Sequence, residues 1–227
     1  MSEIPIIKVE DYEILDVELE EDVLEKNRRI AEENRRKLDE HRILCIDVMG
    51  AIGSGKTSFI ERSAEKLKNK YRIAVIAGDV TTTIDAERVS KHSVFSIQVN
   101  TGRECHLDAN MISKALKELD LENLDLIFIE NVGNLICPAE FDLGAHKRVV
   151  IVSVTEGEYV IIKHPMIFAE ADLIIINKID LADAMGVNVE KLVEDAKKVN
   201  PRAVVVKASM KTGVGLNEAL KALRLEG

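Results

Sequence analysis

Cysteine and proline are scarce in this 227-residue chain, with three of the one and four of the other, and glycine stops at twelve. Three cysteines cannot build a disulfide framework, so a reducing, cytoplasmic setting is expected. So little proline and glycine excludes a collagen-like or low-complexity chain. Long apolar runs are missing too: the stretch 173–176 is typical, far short of the roughly 18 residues of a membrane span. The opening Met1-Ser2-Glu3-Ile4-Pro5 lacks a basic n-region and an apolar h-region, so no signal peptide is expected. Positive charge is in deficit, 31 Lys+Arg against 40 Asp+Glu, for a net charge of −9. That balance argues against a general nucleic-acid or anionic-membrane binder, because nothing offsets phosphate repulsion over the surface as a whole. A local basic site for a small anion stays open.

What the chain does have is apolar material, 46% of its residues, in a length suited to one large domain or one domain with an appendage. Residues 1–19 mix acids with Ile, Val and Leu without a strong period and read as a loose arm. Residues 20–41 are rich in Glu, Arg, Lys and Asn, with sparse apolar points at Leu24, Ile30 and Leu38. They read as a surface helix packed lightly on the domain, or else as a partner-binding helix. From residue 42 onward the pattern changes. Short, mostly β-branched runs at 43–48, 73–77, 94–99, 124–129, 149–154, 173–176 and 203–206 lack in/out alternation, as strands buried on both faces do. Helix-compatible stretches at 56–70, 107–119, 188–199 and 214–224 separate them. The reading is an arm and charged helix (1–41) and an α/β domain (42–227). The domain has a mostly parallel central sheet flanked by helices on both faces.

The strongest motif is Gly50-Ala51-Ile52-Gly53-Ser54-Gly55-Lys56-Thr57, which fits G-x-x-x-x-G-K-[ST] between an apolar strand and a helix. Its glycines let backbone N–H groups curl round phosphate oxygens, and the helix N-terminus adds partial positive charge. Lys56 reaches the β/γ-phosphates, the Thr57 hydroxyl suits Mg²⁺, and Ser58 follows in the same cradle. Ligands of such sheets bind at the carboxyl ends of strands. That places Gly78-Asp79 and Glu130-Asn131-Val132-Gly133 at the site. Asp79 is the expected second Mg²⁺ ligand, Glu130 a second carboxylate for metal or water, and Gly133 an amide for the γ-phosphate. Lys56, Thr57, Asp79 and Glu130 form the expected catalytic set. Neither a Gln nor an arginine finger is identifiable, so intrinsic hydrolysis should be slow.

Asn177-Lys178-Ile179-Asp180 matches N-K-x-D. The Asp180 carboxylate can accept hydrogen bonds from guanine N1–H and the exocyclic amine, a donor pair adenine lacks, while the Lys178 stem lies over the base. Ala208-Ser209-Met210-Lys211 resembles the loop that supports the base, adding Ser209 and Lys211. GTP is therefore the expected nucleotide.

Two segments are unexplained by GTP. Cys105 and His106 are adjacent, and Cys137 lies just past a strand end. Two thiolates and an imidazole suit Zn²⁺ or Ni²⁺, yet isolated cysteines are more often small buried hydrophobes, and spacing leaves both readings open. Cys45, inside the first strand, reads as core packing.

Taken in order, several stretches resemble the hydrogenase nickel-incorporation GTPases of the HypB family over roughly residues 40–225. They are the P-loop, Gly78-Asp79 with Asp85-Ala86-Glu87-Arg88, Asn100-Thr101-Gly102 to Cys105-His106-Leu107-Asp108, the Glu130 to Pro138 run, and Asn177-Lys178-Ile179-Asp180-Leu181. The resemblance implies a P-loop GTPase fold and a homodimer favoured by GTP. It also implies Ni²⁺ or Zn²⁺ on Cys105, His106 and Cys137 near the dimer interface, and delivery of nickel to the hydrogenase large subunit together with a partner metallochaperone. Departures are an N-terminus with neither a Cys-rich motif nor a His tract, and Asn110 where some relatives carry another His. The urease nickel GTPases are the nearest alternative, but their Cys-Pro-His motif is here Cys137-Pro138-Ala139. A P-loop small-molecule kinase does not account for 177–180, and a purely structural nucleotide-binding module would show no turnover. Roles for His92, His146 and His164 are not legible.

Overall fold

The computed structural model describes residues 14–79, 95–101 and 105–225, with side chains from Asp22 onward and without that of Asp79. Residues 1–13 of the arm expected over 1–19, the stretch 80–94 with Asp85-Ala86-Glu87-Arg88 and His92, and 102–104 lie outside the described residues.

The seven apolar runs become strands β1 (Leu44–Met49), β2 (Ile73–Asp79), β3 (Phe95–Asn100), β4 (Leu126–Glu130), β5 (Lys147–Ser153), β6 (Leu173–Asn177) and β7 (Val204–Lys207). They pair in the order β3-β2-β4-β1-β5-β6-β7. Every pairing is parallel. β4 and β6 are buried along their whole length, which is why their sequences show no alternation. The edge strands β3 and β7 are more exposed.

Helices cover both faces: α1 (Ile14–Glu40), α2 (Lys56–Leu67), α3 (Ala109–Lys117), α4 (Val160–Lys163), α5 (Pro165–Ala169), α6 (Ala182–Met185), α7 (Val189–Val199) and α8 (Leu216–Ala222). Successive β1 side chains point to opposite layers, as the strand period requires. Ile46 and Val48 join Phe59, Ile60 and Leu220 under α2 and α8. Cys45 joins Leu38, Ile112 and Leu116 under α1 and α3. Met49 belongs with Val152, Phe168 and Leu192 in a third cluster. Phe59 meets Phe128 edge-on at 6.4 Å between ring centres. Each fully buried side chain of this size contributes about 1.5–3 kcal/mol. Helices α4, α5 and α6, only four or five residues each, are too short to leave a 3.6-residue period in the sequence.

The charged helix departs from its expectation in two ways. It begins at Ile14, and its contact with the domain is closer than a solvated surface helix would make. Asn27, Ala31, Asn34 and Leu38 fall on one face at helical spacing and are 6%, 1%, 3% and 0% exposed. Its C-terminal end is tied to β1 through His146, whose Nδ1 accepts the Cys45 amide proton at 2.9 Å while Nε2 lies 3.0 Å from Asp39. That pairing fixes the ring proton on Nε2 and gives His146 its structural place. His164 closes α4 and precedes α5. Cys45 is fully buried, and burial pushes its thiol up. Among the described residues, no helix is long and apolar enough to cross a membrane.

Because all strands run one way, their carboxyl ends share one edge of the sheet. The direction of strand order reverses at β1, between β4 and β5, and a crevice opens there.

Candidate functional site

The P-loop leaves β1 at that crevice and turns straight into α2. Gly55 is the N-cap at φ +109°, and a Cβ on it would stand 2.1 Å from the Asn177 amide nitrogen, so only glycine fits. A Cβ on Gly133 would come within 2.3 Å of the Ile52 side chain, which is how closely the loop after β4 approaches the P-loop. Lys56 folds back over the loop and donates to the Gly50 and Ala51 carbonyls at 3.0 and 3.1 Å. The Thr57 hydroxyl donates to Glu130 Oε1 at 2.6 Å, with both residues buried. These groups open on a cleft of about 380 Å³ lined also by Gly53, Ser58, Gly78 and Gly133. Ser54 is buried and its amide closes the turn onto Ala51. The backbone of Asp79 ends β2 opposite Asn100, and its carboxylate lies outside the described residues. The carboxylate that Thr57 touches is Glu130, at the end of the adjacent strand β4.

A second cleft of about 510 Å³ continues from this one, lined by Lys178, Asp180, Met210, Lys211 and Arg62. Asp180 is exposed at its mouth. Asn177 is buried and spends its amide on the protein: Nδ2 donates to the Ser54 carbonyl at 2.8 Å and Oδ1 accepts from the Met210 amide at 3.0 Å. It is a strut between the P-loop and the 208–211 loop. Lys178 takes a left-handed conformation, φ +60°, that turns the chain from β6 toward Asp180. Ser209 is buried behind the cleft, where its hydroxyl accepts the Thr212 amide proton at 3.3 Å. Arg62, which sequence reasoning missed, donates to the Lys211 carbonyl at 3.0 Å.

The two cysteine segments meet. Ligand atoms of Cys105, His106 and Cys137 all lie within 4.8 Å of one another. The two sulfurs are 2.8 Å apart, both cysteines are free, and the neighbouring Cys105 thiol raises the Cys137 pKa. The first loop is held by Leu107, fully buried, and by Asp108, which caps α3 by accepting the Met111 amide proton at 2.7 Å. The second turns through a short 3₁₀ segment, Cys137–Ala139, with Pro138 buried. Asn134 donates across to the Cys105 carbonyl at 3.4 Å, and the His106 ring stacks on Phe141 at 3.8 Å. Soft sulfur and imidazole donors at this spacing suit a borderline cation, with room for a further ligand on the exposed side.

Asn131 joins the two regions and was not singled out from the sequence. Its Oδ1 accepts from the amides of Leu107 (3.3 Å) and Val132 (2.9 Å). Its Nδ2 donates to Asp47 at 3.2 Å. Burial pushes the Asp47 carboxyl up to about 7, opposed by the Asn131 hydrogen bond and by Arg148.

Comparison with known proteins matches this geometry. The family described as CobW/HypB/UreG, nucleotide-binding domain, matches residues 44–207. The chain is 54% identical over 205 residues to a Methanocaldococcus jannaschii protein, "Probable hydrogenase maturation factor HypB", covering 90% of this chain and 93% of that one. Among solved structures, the hydrogenase maturation factor HypB of Archaeoglobus fulgidus is 50% identical with a TM-score of 0.83, over 88% of this chain and 99% of that one. HypB of Helicobacter pylori in complex with nickel is 35% identical with a TM-score of 0.82, over 88% and 94%. By the family match over residues 44–207 and identities of 35–54% across most of its length, the chain belongs to the CobW/HypB/UreG nucleotide-binding family, among the HypB hydrogenase maturation factors.

Proposed function

We propose that this chain is a GTP-hydrolysing metallochaperone that assists insertion of nickel into the large subunit of a [NiFe] hydrogenase. Water attacks the γ-phosphorus of GTP, the bond to the β–γ bridging oxygen breaks, and GDP and phosphate leave. Lys56 exchanges the Gly50 and Ala51 carbonyls for phosphate oxygens and offsets charge developing there. The Thr57 hydroxyl and the Glu130 carboxylate are hard oxygen donors suited to Mg²⁺, and Asp79 is the further candidate at the end of β2. Bound there, the cation would neutralise phosphate charge. Asp180 reads guanine, Lys178 lies along the base, and Lys211 with Ser209 supports that side.

Nickel, or zinc in its place, is cargo on Cys105, His106 and Cys137. GTP favours a homodimer, and a partner metallochaperone and the hydrogenase precursor exchange metal with it in the cytoplasm. The observation that carries the reading is the convergence of those three ligands within 4.8 Å, on loops that leave the nucleotide cleft. The nickel complex of the Helicobacter pylori relative supports it.

The test is light scattering and metal analysis on one preparation. It runs with GDP or a non-hydrolysable GTP analogue, in the native chain and in Cys105→Ala/Cys137→Ala, each supplied with Ni²⁺ or Zn²⁺. A dimer favoured by the GTP analogue, with metal lost only in the variant, is the expected result. Metal retained by the variant, or equal dimer fractions with both nucleotides, overturns the proposal.

A further inference from the structure

Cys105 and Cys137 stand 32 positions apart in sequence, so something must fix the distance between their loops. The loops give themselves little help. From Phe141 to Ala145 the chain has no regular secondary structure, and its carbonyls need partners from elsewhere.

Those partners come from α1. Asn27 Oδ1 accepts the Ala109 amide proton at 2.8 Å, and its Nδ2 donates to the Asp142 carbonyl at 2.8 Å. Two turns further on, Asn34 Nδ2 donates to the Ala109 carbonyl at 2.8 Å and to the Leu143 carbonyl at 3.2 Å. Arg35 continues the row, donating to the carbonyls of Gly144 (2.8 Å) and Ala145. Ala109 follows shortly after His106, and Asp142 adjoins Phe141, whose ring lies on His106. Each asparagine therefore ties the start of α3, three residues after His106, to the segment that follows Cys137.

The choice of residue is informative. Asparagine is a poor helix former and costly to bury, and leucine would pack this stripe better. Two buried asparagines on one helix face mark the hydrogen bonds as the purpose of that face.

We infer that α1 is a clasp whose Asn27 and Asn34 are positioning residues for the Cys105–His106–Cys137 centre, setting the separation of its two loops. This inference rests on the metal-binding reading above. Neither residue touches the metal; each acts through backbone atoms of the ligand loops.

The experiment is Ni²⁺ titration of the full chain, following the thiolate-to-nickel charge-transfer band, with GDP affinity and thermal stability measured alongside. Asn27→Leu/Asn34→Leu keeps helix and burial while deleting four hydrogen bonds. Asn27→Asp keeps the bond from the Ala109 amide and sets an oxygen against the Asp142 carbonyl. Leu38→Ala, buried on the same face, removes core packing while leaving all four of these hydrogen bonds in place. Both Asn variants should bind Ni²⁺ about 10–100-fold more weakly, the range for loss of a group that orients a ligand, with GDP affinity unchanged. Leu38→Ala should melt lower and bind Ni²⁺ as the native chain does. By linkage, Ni²⁺ should also slow amide exchange along residues 27–38 of the unaltered chain, a readout that needs no variant to fold. Native Ni²⁺ affinity in the Asn variants, equal weakening in Leu38→Ala, or α1 exchange indifferent to Ni²⁺ overturns the clasp alone. A native chain without the thiolate band overturns the metal reading, and the clasp with it.

Discussion

The phosphate cradle and the cysteine centre are built on opposite plans. The cradle is one continuous segment, 50–57, on the axis of the sheet, and its glycines and helix N-terminus are covalently in register. The cysteine cluster is assembled from two distant loops at the surface, with α1 hydrogen-bonded to the segments that follow both. Contiguity makes the first robust to change elsewhere, whereas the second inherits every movement of its supports. The difference suits the tasks proposed for them: a cradle must close the same way in every cycle, and a site for cargo must also let go.

The sharpest way to break that contrast is Lys56→Ala. Phosphate release should fall about 10²–10³-fold while Ni²⁺ content stays as in the native chain. A parallel loss of nickel would mean the two regions are not separable. The reciprocal change, Cys137→Ala, should weaken Ni²⁺ binding about 100-fold or more by competition titration and leave single-turnover hydrolysis intact. Within the nucleotide region, Asp180→Asn should weaken GTP about 10–100-fold by setting an NH₂ donor against one of the two guanine donors. Adenine nucleotides, which lack those donors, should bind as before in the same assay.

The last prediction concerns Asp47, which Asn131 contacts between the two regions and which acts on stability alone. Asp47 rises from an ordinary 3.8 to about 7 on burial. Between those values the folded chain keeps a proton that the unfolded chain releases, so stability falls as pH rises from about 4 to about 7 and then levels. Asp47→Asn removes that loss. Its melting temperature should exceed the native one at pH 8, and the gap should close toward pH 4. A gap of the same size at both pH values would refute the assignment.

The two plans also differ in how far they can be read from sequence. The P-loop was legible because all its parts are neighbours, and 177–180 because a strand end announces it. The alternation of strands and helices was legible from burial on both faces. The Thr57–Glu130 contact spans 73 positions and carries no local signature. Asn27 and Asn34 were missed for a physical reason: on a charged helix an asparagine looks solvated, and its partners are backbone atoms 75 to 115 positions away. The spacing 27, 31, 34, 38 was the available signal, hidden because half of that stripe is polar. Asn177, read as a nucleotide contact, lines the second cleft and also braces two loops, a role that only its hydrogen-bond partners disclose.

Glu130 and Asn131 are adjacent, yet one meets Thr57 at the P-loop and the other meets Asp47 and the Leu107 amide beside His106. Where a strand ends, neighbouring side chains face opposite sides of the sheet. One peptide bond therefore joins the side chain that meets the P-loop to the one that meets the loop beside His106, and the two neighbourhoods share that stretch of backbone.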